Sequence, residues 1–241
     1  MIVVENISKS FKSFRALDGV SFTARDGEIT GVIGPNGAGK TTTMRILYTV
    51  LQPDSGRVLI DGLDLARDRI AAQRRIGVLP DARGLYPRLT AREQIRYYGL
   101  LHGMDKALLE RRIDLLASQL GMDEFIDRRS KGFSRGQSLK VALARAMIHD
   151  PPNLLFDEPT NGLDIASSRA MRELLRSLRD QGRCILFCSH IMAEVMALCD
   201  RLVVFAHGRI VADGTPAELE HLTGKQDLEE ILLTVTDSAT A

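Results

Sequence analysis

Gly34-Pro35-Asn36-Gly37-Ala38-Gly39-Lys40-Thr41 is the stretch that decides the fold. Its spacing, Gly-x-x-x-x-Gly-Lys-[Ser/Thr], is that of a phosphate-binding loop. The glycines let the backbone bend until successive N–H groups point inward and form a concave anion site. Lys40 is placed to reach the β- and γ-phosphates as a point charge, and the Thr41 hydroxyl is placed to hold Mg²⁺. A helix opening at this point adds its positive end. The flanks fit. Residues 28–33, Glu-Ile-Thr-Gly-Val-Ile, read as a buried strand, and residues 42–47, Thr-Thr-Met-Arg-Ile-Leu, continue as a helix. That is the strand–loop–helix setting the motif requires.

Upstream of the loop, residues 2–7 read as a short strand, and Val20, Phe22 and Ala24 alternate with polar residues as in a half-buried strand. Asp26-Gly27 is a hairpin turn signal leading into Glu28-Ile29. The first thirty residues or so therefore read as antiparallel strands feeding the loop. Phe11 and Phe14 lie between them. Either aromatic could stack on a nucleobase or sit in the core, and this stretch alone favours packing.

Downstream, residues 53–56 form a turn cluster and 57–62 a strand and turn. Residues 63–75, with Arg67, Arg69, Arg74 and Arg75 among acids, read as a solvated helix face. Residues 76–80 are another apolar strand, ending at Asp81. From Leu85 to Asp150 the pattern is helical throughout. Thr90-x-x-Glu93 is a capping box. A second helix runs from Asp105 to a stop at Gly121, and a third starts near Ser134 and ends at Asp150-Pro151-Pro152. Strands then return at 154–158 and 184–188, separated by an amphipathic helix over 165–180. A helix over 192–198 and a closing hairpin over 201–211 follow. From Glu230 the chain drifts into a polar tail expected to fray. Alternating strands and helices predict an α/β fold with a mostly parallel sheet covered on both faces. An N-terminal antiparallel β part and a helical insertion over 85–150 complete it.

The totals exclude several classes. The 241 residues are 44% hydrophobic and 26% charged, the make-up of an ordinary globule with a sizeable core. A net charge of +1 argues against a nucleic acid as the main partner. Cys184, Cys188 and Cys199 form no disulfide framework and fit a reducing compartment. No apolar run is long enough to span a bilayer and the N-terminus has no secretory pattern. The chain is expected in the cytosol, with any membrane role coming through a partner.

Asp157 and Glu158 close a buried apolar strand, and ligands of parallel sheets collect beyond the carboxyl ends of strands. A strand-end Asp suits Mg²⁺ binding, and the adjacent Glu, pointing elsewhere, can activate the water that attacks a γ-phosphate. His190 also follows a buried strand and is expected at the same edge, donating to a γ-phosphate oxygen. His190 and Glu194 stand four apart, a metal-ligand spacing without a third ligand in view. His102, His149, His207 and His221 have no such setting.

Phe133-Ser134-Arg135-Gly136-Gln137, with residues 138–146 trailing as a helix, resembles the Leu-Ser-Gly-Gly-Gln signature of ATP-binding subunits of ATP-binding cassette (ABC) transporters. It stands shortly before Asp157-Glu158, which resembles Walker B, and before Asn161-Gly162-Leu163-Asp164, which resembles the D-loop. His190 matches the switch histidine. The resemblance covers the chain to about residue 223. It implies a P-loop NTPase, RecA-like core over 1–84 and 151–223, a helical subdomain over 85–150, and a C-terminal helix and tail over 224–241.

The resemblance also implies site residues. ATP would be held by Phe11, now assigned to adenine stacking, by Gly34, Pro35, Asn36, Gly37, Ala38, Gly39, Lys40, Thr41 and Thr42, and by Asp81 and Asp164. Ser134, Arg135, Gly136 and Gln137 would complete that set from a second copy. Mg²⁺ would be held by Thr41, Asp157 and Asp81, and Glu158, His190 and Lys40 would carry the hydrolysis. The implied partners are an integral membrane permease and a second cassette paired head to tail, identical or closely related. The implied location is the inner face of the cell membrane, through the permease. Two residues depart from the family pattern. Asp81 stands where Gln is usual, and is expected to matter more for coupling than for chemistry. Arg135 replaces a signature Gly and is expected to face solvent. Both departures look closer to sodium- and drug-efflux cassettes, hence export. The rival readings are a soluble cassette ATPase acting on DNA or ribosomes, and a non-hydrolysing nucleotide switch. The first lacks its usual coiled-coil insertion or second cassette here, and Glu158 argues against the second.

Overall fold

The structure, a computed structural model, describes residues 1–81, 84–225, 227 and 230–234. In chain order the first elements are β1 (Ile2–Phe11), β2 (Phe14–Ala24), β3 (Ile29–Ile33), α1 (Lys40–Leu47), β4 (Ser55–Ile60) and β5 (Leu63–Asp64). Next come α2 (Arg69–Gln73), β6 (Ile76–Leu79), α3 (Ala91–Leu101), α4 (Lys106–Gln119) and α5 (Arg135–Met147). The last are β7 (Asn153–Asp157), α6 (Ile165–Asp180), β8 (Cys184–Cys188), α7 (Met192–Leu198), β9 (Arg201–Ala206), β10 (Arg209–Gly214) and α8 (Pro216–Thr223).

Two sheets result. One has the order β2-β1-β4-β5 and is antiparallel; the other has the order β10-β9-β3-β8-β7-β6. In the second sheet β9, β3, β8, β7 and β6 are parallel and β10 returns antiparallel to β9 through the turn at His207-Gly208. The hairpin expected at Asp26-Gly27 does not form. The turn is there, but β3 leaves β2 and inserts between β8 and β9. The reason is burial. β2 is buried at alternate positions along its second half, whereas β3 is buried at all five and needs cover on both faces.

That cover comes from two cores divided by the alternation of side chains along each strand. Ile29, Ile33, Leu154, Phe156, Ile185 and Phe187 face α3–α7 with Ile95, Leu109, Leu143, Met171, Leu175 and Val195. Val32, Leu155 and Leu186 face the other way, onto α1 and the antiparallel sheet with Met44, Leu47, Ile2, Val4 and Phe22. Because β3, β7 and β8 are parallel, their carboxyl ends share one edge. That edge carries residues 34–39, Asp157-Glu158 and Ser189-His190.

Helices α3, α4 and α5 start where the sequence places caps. Both bonds of the Thr90/Glu93 capping box are present, and Asp105 accepts from the Ala107 and Leu108 N–H groups. Each cap is worth about 1 kcal/mol. Ser134 and Gln137 form a second capping box at the start of α5. Over 63–75 the four arginines are exposed as expected, but the helix is only α2, preceded by the two residues of β5. The chain after Glu230 is not simply a polar tail: residues 230–234 are helical and Ile231 is fully buried. Residues 235–241 lie outside the described ones.

Candidate nucleotide site

After Ile33 the chain turns sharply along β9. Gly34 has φ 142°, and a Cβ there would sit 2.2 Å from the Phe205 carbonyl oxygen, so only glycine permits the approach. Gly37, at φ 81°, has no atom within 4 Å of its Cβ position and faces an open cavity. The Lys40 ammonium donates to the Gly34 carbonyl at 2.6 Å and the Pro35 carbonyl at 3.0 Å, closing the loop on itself. No side chain caps α1, whose first N–H groups belong to the loop mouth.

The cavity has a volume of about 740 Å³. Asn36, Gly37, Gly39, Lys40, Thr41, Thr42, Asp81, Asp157, Glu158 and His190 line it, all drawn from the expected set. Gly34, Pro35 and Ala38 shape the loop from behind. Residues that sequence reasoning does not single out also line it: Ala16, Arg45, Tyr48, Val50, Pro80 and Cys188. Arg45 carried a usable signal, standing four residues after Thr41 on the same helix face.

The carboxylates crowd. Burial pushes the Asp157 carboxyl up, and the negative charges of Glu158 and Asp81 push it further, against a hydrogen bond from Cys188 and the charge of Arg45. Such a carboxyl gains from a cation. Thr41 and Asp157 line the same cavity, and a hydroxyl and a carboxylate are oxygen donors of the kind magnesium accepts alongside phosphate and water. No group of three His, Cys, Asp or Glu side chains gathers for a metal among the described residues.

Glu158 follows the end of β7 and has φ 50°, a left-handed conformation that is uncommon outside glycine. Its backbone N–H donates to the Cys188 carbonyl at 2.9 Å, and its carboxylate lies 2.8 Å from His190 Nδ1. An ionised carboxylate only accepts, so Nδ1 carries the proton and Nε2 is left to face the cavity.

Ser134, Arg135, Gly136 and Gln137 do not line this cavity. They sit at the start of α5 beside the segment 161–164 of the same chain. Arg135 is exposed, as expected, with its guanidinium 3.5 Å from the Gly162 carbonyl oxygen. A Cβ on Gly136 would lie 3.3 Å from Ser167 Oγ. Asp164 caps α6, accepting from the Ser167 N–H at 2.7 Å, and this bond holds its carboxyl below the usual range.

Phe11 and Phe14 correct the packing preference. They are direct cross-strand partners at the β1–β2 tip, 44% and 60% exposed, and neither joins the core. Opposed residues share a face of the hairpin. Phe14 lines the cavity; Phe11 stands beside it and outside the lining, with the Lys9 ammonium 5.9 Å from its ring centre. His102 and His149 stack at 3.6 Å in a second cavity of about 400 Å³, and burial pushes His149 down to about 4.

A family model described as ABC transporter matches residues 17–161. The ABC transporter ATP-binding protein NatA of Bacillus subtilis (strain 168) is 41% identical over 238 residues, covering 97% of this chain and 97% of its own length. Nod factor export ATP-binding protein I of Paraburkholderia xenovorans (strain LB400) is 38% identical over 218 residues, 90% of this chain and 72% of that protein. The solved ATP-binding subunit of an ABC transporter superposes with a TM-score of 0.90 at 29% identity, covering 98% of this chain and 99% of that one. A dimeric bacterial ABC transporter cassette gives 0.81 at 25% identity, covering 89% and 98%. The phosphate loop at the end of a central parallel strand, and relatives that align nearly end to end, agree: the chain belongs to the ABC transporter family as an ATP-binding cassette and is an ATPase.

Proposed function

We propose that this cassette is the motor of an exporter. It binds Mg-ATP across a head-to-tail pair of cassettes and passes the closing motion to a separate membrane permease. One observation carries the reading: the 740 Å³ cavity gathers the phosphate loop, Asp157, Glu158 and His190, while Ser134 to Gln137 stand outside its lining. A signature at a capped helix start has N–H groups to offer a phosphate and none in its own chain to meet. A second copy facing the cavity supplies it. Export follows the relatives, one of which is named for Nod factor export. No helix among the described residues is long and apolar enough to cross a membrane, so the membrane is reached through a partner. The working location is then the cytoplasmic face.

In this reading residues 1–84 and 151–223 form the nucleotide core and 85–150 a helical subdomain bearing the signature. Lys40 leaves the Gly34 and Pro35 carbonyls for the β- and γ-phosphates. Thr41 and Asp157, with Asp81 nearby, hold magnesium, which when bound neutralises charge on the phosphate oxygens. Glu158 takes the proton of the attacking water, and His190, tied to Glu158 through Nδ1–H, donates from Nε2–H to a γ-phosphate oxygen, which requires the ring to hold a proton on both nitrogens. Phe11 stacks on adenine at the hairpin tip, beside Phe14. ATP joins the two cassettes; its hydrolysis releases them.

The test is Glu158→Gln, which keeps the shape and removes the base. The variant should hold ATP and run as a dimer by light scattering with ATP present, with turnover down about 10²–10⁴-fold. A monomer in saturating ATP, or turnover at the normal rate, contradicts the reading.

A further inference from the structure

The loops after β7 and β8 carry Glu158 and His190, and side-chain contacts tie them together at two levels. The first tie is the contact between Glu158 and His190 Nδ1, with the imidazole largely exposed. The second lies two residues further along one loop and four along the other. There the Thr160 hydroxyl donates to the Glu194 carboxylate, in the first turn of α7. Thr160 is 2% exposed and Glu194 8%. A carboxylate this deep is costly unless bonded, so the bond is kept for a reason. Metal binding is not that reason. The spacing of His190 and Glu194 suggests a ligand pair, but Glu194 turns inward to Thr160 while His190 turns to Glu158.

We propose that Thr160 and Glu194 are positioning residues for hydrolysis. Their buried bond fixes the loop after β7 against α7, and so sets Glu158 within reach of His190 and the water. Glu158 needs such support. Its left-handed backbone opens a tight turn, with the Asn161 N–H donating to the Glu158 carbonyl at 3.2 Å, and such conformations persist only where the surroundings hold them. The proposal rests on the reading of Glu158 as the base.

The decisive variant is the apolar pair Thr160→Val with Glu194→Leu. It removes the bond without leaving a buried polar group unpaired, so it should fold. A displacement near 1 Å costs about 10²-fold, so kcat should fall about 10–100-fold while ATP affinity stays within about twofold. Glu194→Gln keeps an oxygen acceptor and Thr160→Ser keeps the hydroxyl, and each alone should hold kcat within about threefold of wild type. Wild-type kcat in the apolar pair overturns the proposal. So does a loss that Glu194→Gln and Thr160→Ser show equally, or one matched by an equal loss of ATP affinity. Glu158→Gln is measured alongside. Normal turnover there overturns the base assignment and this proposal with it; low turnover there with a normal apolar pair overturns this proposal alone.

Discussion

Two glycines of one motif should respond differently to a single methyl group, and the structure sets the difference. Gly34→Ala places a Cβ 2.2 Å from the Phe205 carbonyl oxygen, where ordinary contact begins at 3.4 Å, so two backbone segments must part by about 1 Å. Overpacking of that kind costs about 1–3 kcal/mol. The strained φ adds about 1–3 kcal/mol, and the sum centres near 4 kcal/mol. Gly37→Ala meets nothing within 4 Å and pays only the positive φ, about 1 kcal/mol. In a chain of this size about 1 kcal/mol moves Tm by about 2–4 °C. Thermal unfolding without nucleotide should therefore lower Tm by about 8–16 °C for Gly34→Ala and about 2–4 °C for Gly37→Ala. If the loop yields instead of the fold, the Gly34 variant loses ATP affinity at a smaller Tm cost. A Gly34→Ala protein with the Tm of Gly37→Ala and wild-type ATP affinity refutes the close-approach argument.

Other predictions concern the rim and the second cavity. Phe11→Ala should weaken ATP binding by the worth of one stacked base, about 1–3 kcal/mol, while leaving inorganic triphosphate binding unchanged. A titration in which Phe14→Ala shows that pattern and Phe11→Ala does not would move the stack to Phe14. His149 titrates near 4 when folded and near 6.5 when unfolded. Below about pH 6.5 the unfolded chain binds a proton that the folded one refuses, so stability falls as pH drops toward 4, by about 3 kcal/mol at most. Urea midpoints at pH 7.5 and 5 should show the fall, and His149→Phe should flatten it; an identical slope in that variant contradicts the assignment.

What the sequence made legible was local. The phosphate loop is read from spacing alone because its backbone demands glycine at set positions. The strands β7 and β8 are read from uninterrupted apolar runs, and α3 from its capping box. The partner of β3 is not legible, since pairing with residues 185–188 and 201–204 is a long-range choice made by burial. The exposure of Phe11 and Phe14 depends likewise on where the hairpin tip lands. Other features carried a signal that the sequence reading does not use. Thr215-Pro216-Ala217-Glu218 is a capping box with proline in the first turn, and it opens α8. The stack of His102 on His149 and the bond of Thr160 to Glu194 join residues 47 and 34 positions apart, which no local pattern announces.

The central claim is that each reaction chamber is built from two copies, and mixing two dead variants tests it directly. Lys40→Ala spoils the phosphate loop and Ser134→Arg spoils the signature, so neither should hydrolyse ATP alone. In a mixed pair one chamber takes both lesions and the other takes none. An equal mixture, dissociated and reassembled, should recover about a quarter of wild-type ATPase activity, half the pairs being mixed with one sound chamber each. A mixture that stays inactive while mixed pairs demonstrably form, or a Ser134→Arg protein active by itself, would contradict the account.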